Sequence, residues 1–262
     1  MLKIAAYSLS RFVEDYLRGQ RPARSIKATV LHHTYRPRAE DYRGIQTIEQ
    51  IRAYHVQSRG WSDIGANAYA APDGTVYNAR PLSYSNYAHA HISKAWNQVP
   101  DDVRALAYPD RQFFNHYAFG IETIGDFDVQ SISPVPAALD TALRVLAAVH
   151  LLYKLPPERL FLHRDVANKS CPGNRVSRAW ARRELAARMA SDASGPDSSW
   201  LEVGLLPADG EMRPIPCRAA LEEGVTRCDL RALAEALGYQ VIAGDLPTTR
   251  TIQLRRADTP AS

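Results

Sequence analysis

The chain has 262 residues, of which 45% are hydrophobic and 23% charged, so it can bury a globular core and lacks the composition of a disordered protein. No stretch approaches the roughly 20 consecutive apolar residues of a membrane-spanning helix. Charged residues interrupt the apolar N-terminal run, and we expect neither a membrane anchor nor a standard signal peptide. Three cysteines, Cys171, Cys217 and Cys228, are too few and odd in number for a disulfide framework, which favours a reducing compartment.

The net charge of +4 is unevenly distributed along the chain. Residues 197–262 carry seven Arg against ten acidic residues, whereas the remainder carries 25 basic and 18 acidic residues. A basic body favours a polyanionic partner, either nucleic acid or an anionic cell wall, although it is equally compatible with a merely soluble surface. No nucleic-acid-binding motif supports the first of these partners.

The first half of the chain predicts a strand, a helix and a hairpin. Residues 27–34 form a β-rich run that ends in polar side chains. Residues 47–61 place Ile48, Ile51 and Tyr54 at helical spacing, and Gly60 is a plausible stop. Residues 63–81 read as two strands around a Pro-Asp-Gly turn.

The next segments predict an irregular excursion followed by core elements. Residues 92–116 lack clear periodicity and are interpreted as a long surface loop. Residues 117–127 resemble a buried strand that contains Glu122, an unexpected place for a carboxylate. Residues 136–155 predict an amphipathic helix, with one apolar stripe formed by Leu139, Leu143, Leu146 and Val149. Residues 160–174 give a short strand and an ordered loop, and residues 176–190 a closing helix.

A linker is predicted at residues 191–199, which are small, polar, glycine- and proline-containing. The pattern after it favours a second, small module. Within that module a helix ending at Gly238, a strand, a proline-containing turn and a second strand are expected. This stretch resembles the small stalk modules of bacterial envelope proteins.

The sharpest chemical signal is HRDVANKSCPG, residues 163–173, in which His163 and Cys171 flank a loop. Both are good zinc ligands, and a third could come from His32 or His33 at the end of the first strand. Two imidazoles and one thiolate leave a fourth position open, as in a catalytic zinc site. A single histidine or cysteine is more often a packed or surface residue, so the joint occurrence carries the prediction. A structural zinc would need a fourth protein ligand, and the remaining cysteines lie across the linker.

The segments VLHHT, GWSDIGANAYAAPDGTVYNARP, YAHAH, FGIETIGDF and HRDVANKSCPG together resemble the type 2 N-acetylmuramoyl-L-alanine amidases, a family that includes phage lysozyme-type amidases and the peptidoglycan recognition proteins. They span roughly residues 26–185 in the family's order and spacing. The resemblance implies that His32, His163 and Cys171 bind Zn²⁺. It further implies that Lys169 stabilises the oxyanion at the scissile carbonyl and that His89 contacts substrate.

One position departs from the family pattern. Many members carry a catalytic tyrosine directly after the DIG or DVG triplet, but this position is Ala66 here, and Tyr69 lies three residues farther on. A second branch of the family relies instead on the glutamate of a GIE motif, which is Glu122 in this chain. A carboxylate beside a zinc site suits proton transfer. The alternative for Glu122 is a buried carboxylate that pairs with an arginine.

The sequence therefore predicts an α/β fold, with a mixed central β-sheet flanked by helices and a small C-terminal α+β module. Residues 1–190 would form the zinc amidase domain and residues 200–262 a stalk-like or wall-binding module. The resemblance implies hydrolysis of the amide between N-acetylmuramic acid and L-alanine, with peptidoglycan or muropeptides as partners and no nucleic acid. A cytoplasmic enzyme or a phage-encoded lysin released to the cell wall is expected. The rivals are a recognition protein that binds without cutting and a structural zinc protein.

Overall fold

The computed structural model describes residues 2–20, 25–83, 90–193, 200–206, 213–222, 225–226, 239–242 and 251–256. The chain divides into two compact units, residues 1–193 and 194–262. The last helix of the first unit continues to Ala193. The first three residues of the predicted linker are therefore helical.

A six-stranded mixed sheet forms the centre of the first unit, with strand order β1-β4-β3-β5-β2-β6. Strands β3, β5, β2 and β6 are parallel to one another, and at one edge β4 pairs antiparallel with β3 and β1 antiparallel with β4. The strands are β1 Ala6–Tyr7, β2 Ala28–His33, β3 Ala68–Ala70, β4 Val76–Asn78, β5 Ala118–Thr123 and β6 Leu160–Leu162. The predicted strand at residues 27–34 and the hairpin at 63–81 are confirmed.

Seven helices accompany this sheet in the described part of the first unit. They are α1 Leu9–Arg11, α2 Ile45–Ala53, α3 Asp101–Ala107, α4 Phe113–Tyr117, α5 Ala137–Leu152, α6 His163–Val166 and α7 Arg178–Ala193. Helices α1 and α2 continue as π-helical segments, Phe12–Leu17 and Tyr54–Ser58. Among the described residues, none of these helices is both long and apolar enough to cross a membrane.

Helix α5 covers one face of the sheet, as its apolar periodicity predicted. All four residues of the predicted stripe are fully buried, and they join Leu31 of β2 and Ile121 of β5 in the main core cluster. Burying a leucine-sized side chain stabilises the fold by roughly 1.5–3 kcal/mol. The α/β class and the helix-flanked mixed sheet are confirmed.

The segment at residues 92–116 contradicts the predicted surface loop. It contains α3 and α4, and it buries Ile92, Val103, Phe113 and Phe114 in a second core cluster that also includes Val30 of β2. The prediction was wrong because two helices of five to seven residues are too short to show a clear 3.6-residue period. This segment covers the face of the sheet opposite to α5.

The second unit contains a five-stranded sheet with strand order β10-β11-β7-β8-β9. Its strands are β7 Trp200–Leu206, β8 Arg213–Glu222, β9 Val225–Thr226, β10 Tyr239–Ile242 and β11 Thr251–Arg256. Strands β10 and β11 match the two that the sequence predicted, whereas β7 and β8 were not predicted. The helix predicted to end at Gly238 lies outside the described residues.

Candidate metal centre

Three sequence-predicted metal ligands meet at the carboxyl ends of neighbouring parallel strands. His32 lies near the end of β2, His163 directly follows β6, and Cys171 lies in the loop beyond α6. Register pairs Leu31 with Leu162, which brings the two strand ends together. The His32 Nδ1 and His163 Nδ1 atoms are 3.1 Å apart, and Cys171 Sγ lies 3.7 Å from His32 Nδ1. The ligand atoms of all three residues lie within 4.8 Å of one another.

This donor set fits a tetrahedral zinc ion. With metal–nitrogen and metal–sulfur distances of about 2.0–2.1 and 2.3 Å, ligand atoms at tetrahedral angles are roughly 3.3–3.7 Å apart. The two distances from His32 Nδ1 lie close to that range. In the part of the chain that the structure describes, no fourth histidine, cysteine or carboxylate completes the group. The three residues could thus hold a metal ion and leave a coordination position for another molecule.

Burial keeps both His163 and Cys171 neutral when no metal is bound. Burial, with smaller contributions from the charges of Lys169 and His33, lowers the pKa of His163 to about 3. The imidazole therefore retains a free lone pair at neutral pH. Burial also raises the pKa of the Cys171 thiol to about 12, so a metal ion must displace the thiol proton in order to bind.

The structure distinguishes His32 from its neighbour His33, which the residues alone left open. Successive side chains of a strand point to opposite faces. The His33 ring turns away from the ligand group, and its Nδ1 accepts a hydrogen bond of 3.2 Å from the Phe127 amide. The His33 backbone amide lies 3.4 Å from Cys171 Sγ and donates toward it. His33 therefore supports the cysteine through its main chain.

The loop that carries Cys171 is fixed by two side chains that sequence reasoning missed. The Arg164 guanidinium donates to the carbonyl oxygens of Ser170, Gly173 and Val176. The Asp128 carboxylate accepts hydrogen bonds from the Ser170 hydroxyl at 2.7 Å and from the Asn174 amide at 2.8 Å. These charge-assisted contacts hold the thiol in place. No sequence pattern pointed to these two residues, because arginines and aspartates are frequent on surfaces.

Glu122 lies beside the ligand group on the same face of the sheet. Its Cα pairs with that of His32 on β2 and with that of Tyr69 on β3, so the three side chains form a row across three strands. Burial raises the pKa of Glu122 to about 7, and Tyr69 and Lys169 oppose this shift. No arginine among the described residues contributes to that shift, which disfavours the alternative of a buried ion pair.

Two further predicted site residues have different outcomes. Lys169 is exposed on the loop two residues before Cys171. Its charge lowers the pKa values of both His163 and Glu122, so its ammonium group lies near these two residues. His89, the predicted substrate contact, lies outside the described residues, so its role stays a prediction.

Two further titratable residues of the first unit have structural roles. Asp63 forms an ion pair of 2.6 Å with Arg52 and caps the Ile64 amide. His150 is fully buried in α5, and its Nε2 lies 2.8 Å from the Thr29 hydroxyl. Neither residue belongs to the ligand group.

A sequence model of the family described as N-acetylmuramoyl-L-alanine amidase matches residues 22–174, which is more than half of the chain. The chain belongs to this amidase family. The resemblance identified from the motifs is thereby confirmed. All three candidate ligands and Glu122 lie within the matched residues.

Several curated relatives and solved structures are similar to part of the chain. Peptidoglycan-recognition protein LB of Drosophila melanogaster is 28% identical over 151 residues, which cover 56% of this chain and 54% of that protein. Peptidoglycan recognition protein 1 of Bos indicus is 28% identical over 60% of this chain and 72% of that protein. The endolysin amidase LysCS from Clostridium intestinale URNW is 27% identical, covers 63% of this chain and 86% of its own, and has a TM-score of 0.44. The chain thus spans about half the length of the Drosophila relative.

Proposed function

We propose that this chain is a zinc-dependent amidase that hydrolyses the amide bond between N-acetylmuramic acid and L-alanine in peptidoglycan. The observation that carries the proposal is the convergence of His32, His163 and Cys171 without a fourth protein ligand among the described residues. Three protein ligands and one open position are typical of catalytic zinc sites, whereas structural sites are closed by four. Membership of the amidase family supports the choice of bond.

The residues around the ligand group suit amide hydrolysis. A bound zinc ion would supply Lewis acidity, which makes water a stronger nucleophile near neutral pH. Glu122, with a pKa of about 7, can accept a proton from the attacking water and deliver it to the departing amine of L-alanine. The Lys169 ammonium can stabilise the negative charge that develops on the carbonyl oxygen. His89 remains our proposed substrate contact.

The proposed substrate rests on family membership and on charge. The curated relatives are named for peptidoglycan recognition. Residues 1–196 carry 25 basic and 18 acidic residues, which favours encounter with an anionic polymer such as the bacterial wall. We propose that the enzyme acts either on soluble muropeptides in the cytoplasm or, as a phage-encoded lysin, on the intact wall.

A recognition protein that binds peptidoglycan without cutting is the alternative. Ala66 at the position of the family tyrosine favours it, and so do the names of the curated relatives. The presence of all three candidate ligands and of Glu122 favours the enzyme. Turnover separates the two, because a pure binder attaches to the wall without releasing peptides.

The test is digestion of purified sacculi and of soluble muropeptides by the zinc-loaded protein, with mass spectrometry of the products and metal analysis of the protein. We expect peptides with a new N-terminal L-alanine. Cys171→Ser should lose zinc and activity together, because a hydroxyl is a weak zinc ligand. Cys217→Ser is the matched control and should keep both. Attachment to sacculi with no new amino termini would support the alternative, and full activity of Cys171→Ser would refute the ligand set.

A further inference from the structure

Tyr69 is a buried tyrosine whose place in the sheet brings its side chain next to Glu122. It is the central residue of β3 and has no exposed surface. Its Cα pairs with that of Glu122 on the parallel neighbour β5, so the two side chains lie side by side on one face. On the other side of Glu122, the same register leads to His32. Glu122 therefore lies between a phenol and the ligand group.

The Tyr69 hydroxyl is completely buried and makes no hydrogen bond within ordinary limits of distance and angle in the described part of the chain, although the Glu122 carboxylate and the Ala66 amide lie near enough to shift its pKa. A buried hydroxyl without a partner is unfavourable and calls for an explanation. Besides Glu122, the charged group that affects this hydroxyl is Arg80, whose charge opposes the burial shift in the pKa of Tyr69. The Arg80 guanidinium, however, already donates to the carbonyl oxygens of Ile64 and Asp63 and to the Ser62 hydroxyl.

Glu122 is the acceptor available to this hydroxyl. The two groups influence each other, since each shifts the pKa of the other. Burial raises the pKa of Tyr69 well above its usual value, so the phenol keeps its proton and remains a donor. A phenol that donates to one carboxylate oxygen leaves the second oxygen free to face the ligand group.

We propose that Tyr69 is a positioning residue, whose hydroxyl donates a hydrogen bond to Glu122 and holds the carboxylate toward His32, His163 and Cys171. The proposal rests on the proposed function. Ala66, at the position where many family members have a tyrosine, has no hydroxyl. In this chain the hydroxyl would come instead from Tyr69 in the middle of β3.

The test compares Tyr69→Phe with Tyr16→Phe. Both variants remove one hydroxyl from a buried ring, because the Tyr16 hydroxyl is also buried without a partner, and Tyr16 packs against Tyr7 and Phe12, outside the site. For Tyr69→Phe we expect kcat to fall by about 10- to 100-fold, the effect of losing a hydrogen bond to a charged group. KM and bound zinc should stay near the wild-type values. Tyr16→Phe should leave kcat, KM and bound zinc unchanged.

Crystal structures of the zinc-free proteins give a readout that does not depend on activity. In the wild type, the Tyr69 hydroxyl should lie within about 3 Å of a Glu122 oxygen, and in Tyr69→Phe the carboxylate should adopt another rotamer. A wild-type hydroxyl bonded to a different acceptor, or an unmoved Glu122 together with wild-type kcat in Tyr69→Phe, would overturn the proposal. If the wild type cuts no substrate, the proposed function fails, and the crystal comparison alone decides whether Tyr69 positions Glu122.

Discussion

At the scale of single residues, burial opposes the ionised thiolate that a metal ion requires. The Cys171 thiol has its pKa raised to about 12 by burial, while the nearby backbone amide of His33 and the charges of Lys169 and Arg164 lower it. Metal binding must therefore offset the free-energy cost of ionising a buried thiol. The three candidate ligands are therefore arranged for metal binding, but the Cys171 thiol remains protonated until a metal ion binds.

The zinc affinity of the protein should rise with pH. At any pH well below 12, Cys171 releases one proton on binding, whereas His163, with a pKa of about 3, releases none at neutral pH. Linkage then gives about a tenfold gain in affinity for each pH unit. Competition with a chelator between pH 6 and 8 measures this slope, corrected for protonation of the chelator. An affinity that does not change with pH would mean that the thiol is not a ligand.

Replacement of Glu122 by Gln should separate metal binding from turnover. The amide keeps the size of the side chain but cannot accept the proton of water, so we expect kcat to fall about 100- to 10,000-fold while zinc content stays unchanged. Glu40→Gln, the same change at an exposed residue, should have no effect. Near-normal turnover of Glu122→Gln would assign proton transfer to another group.

Lys169→Met should slow hydrolysis without loss of zinc. The substitution removes an exposed positive charge near the site. Loss of one group that stabilises an oxyanion typically costs about 100- to 1,000-fold in kcat. Lys169→Arg keeps the charge and should be less impaired. Equal rates for Met, Arg and the wild type in a steady-state assay would identify Lys169 as a solvated loop residue.

At the scale of elements, the loop between β6 and α7 is held against the loop after β5 by close backbone contact. Gly173 has a φ of +109°, and a Cβ built on it would lie 2.3 Å from the Phe127 carbonyl carbon. Only glycine fits there. The tight approach fixes the position of Cys171, which lies two residues earlier.

Gly173→Ala should therefore destabilise the protein and weaken zinc binding. Gly60→Ala is the matched control, because Gly60 also has a positive φ, +69°, but has no atom within 4 Å of a built Cβ. We expect a cost of about 1–2 kcal/mol at Gly60 from backbone strain alone, and a further 1–3 kcal/mol at Gly173 from overlap. Denaturant unfolding and zinc titration of both variants measure this difference. Equal costs at the two positions would show that the loop can shift.

At the scale of the whole molecule, the site belongs to one unit. His32, Glu122 and Cys171 come from three segments that are far apart in the sequence, yet all of them lie within residues 1–193. The sheet supplies the frame, with α5 on one face and the segment of α3 and α4 on the other. A role of the second unit in attachment to the cell wall remains a prediction.

A chain that ends at Ala193, the last residue of α7, should fold, bind zinc and hydrolyse soluble muropeptides at near the full-length rate. If the second unit binds the wall, the truncated protein should act more slowly on intact sacculi. Circular dichroism, metal analysis and the product assay on both substrates provide the comparison. A folded, zinc-loaded truncation that is inactive on soluble fragments would show that the second unit contributes to the chemistry.

Local patterns were sufficient for the elements with strong periodicity and for the choice of candidate ligands. The stripe of α5 and the β2 run were predictable because their side-chain periods follow from helix and strand geometry. The family motifs identify His32, His163, Cys171 and Glu122 as candidate site residues without information on any contact. They also showed that Ala66 occupies the position of the family tyrosine, and they did not identify a residue that replaces it.

Only the tertiary structure decided which groups surround those residues. Strand register brings Tyr69 beside Glu122, and register depends on how distant strands pair, which a linear pattern does not encode. Likewise, the contacts of Arg164 and Asp128 join loops that are remote in sequence. The short helices α3 and α4 are part of the core because they cover one face of the sheet. The sequence thus determined the chemistry available to this protein, whereas packing of the sheet determined its geometry.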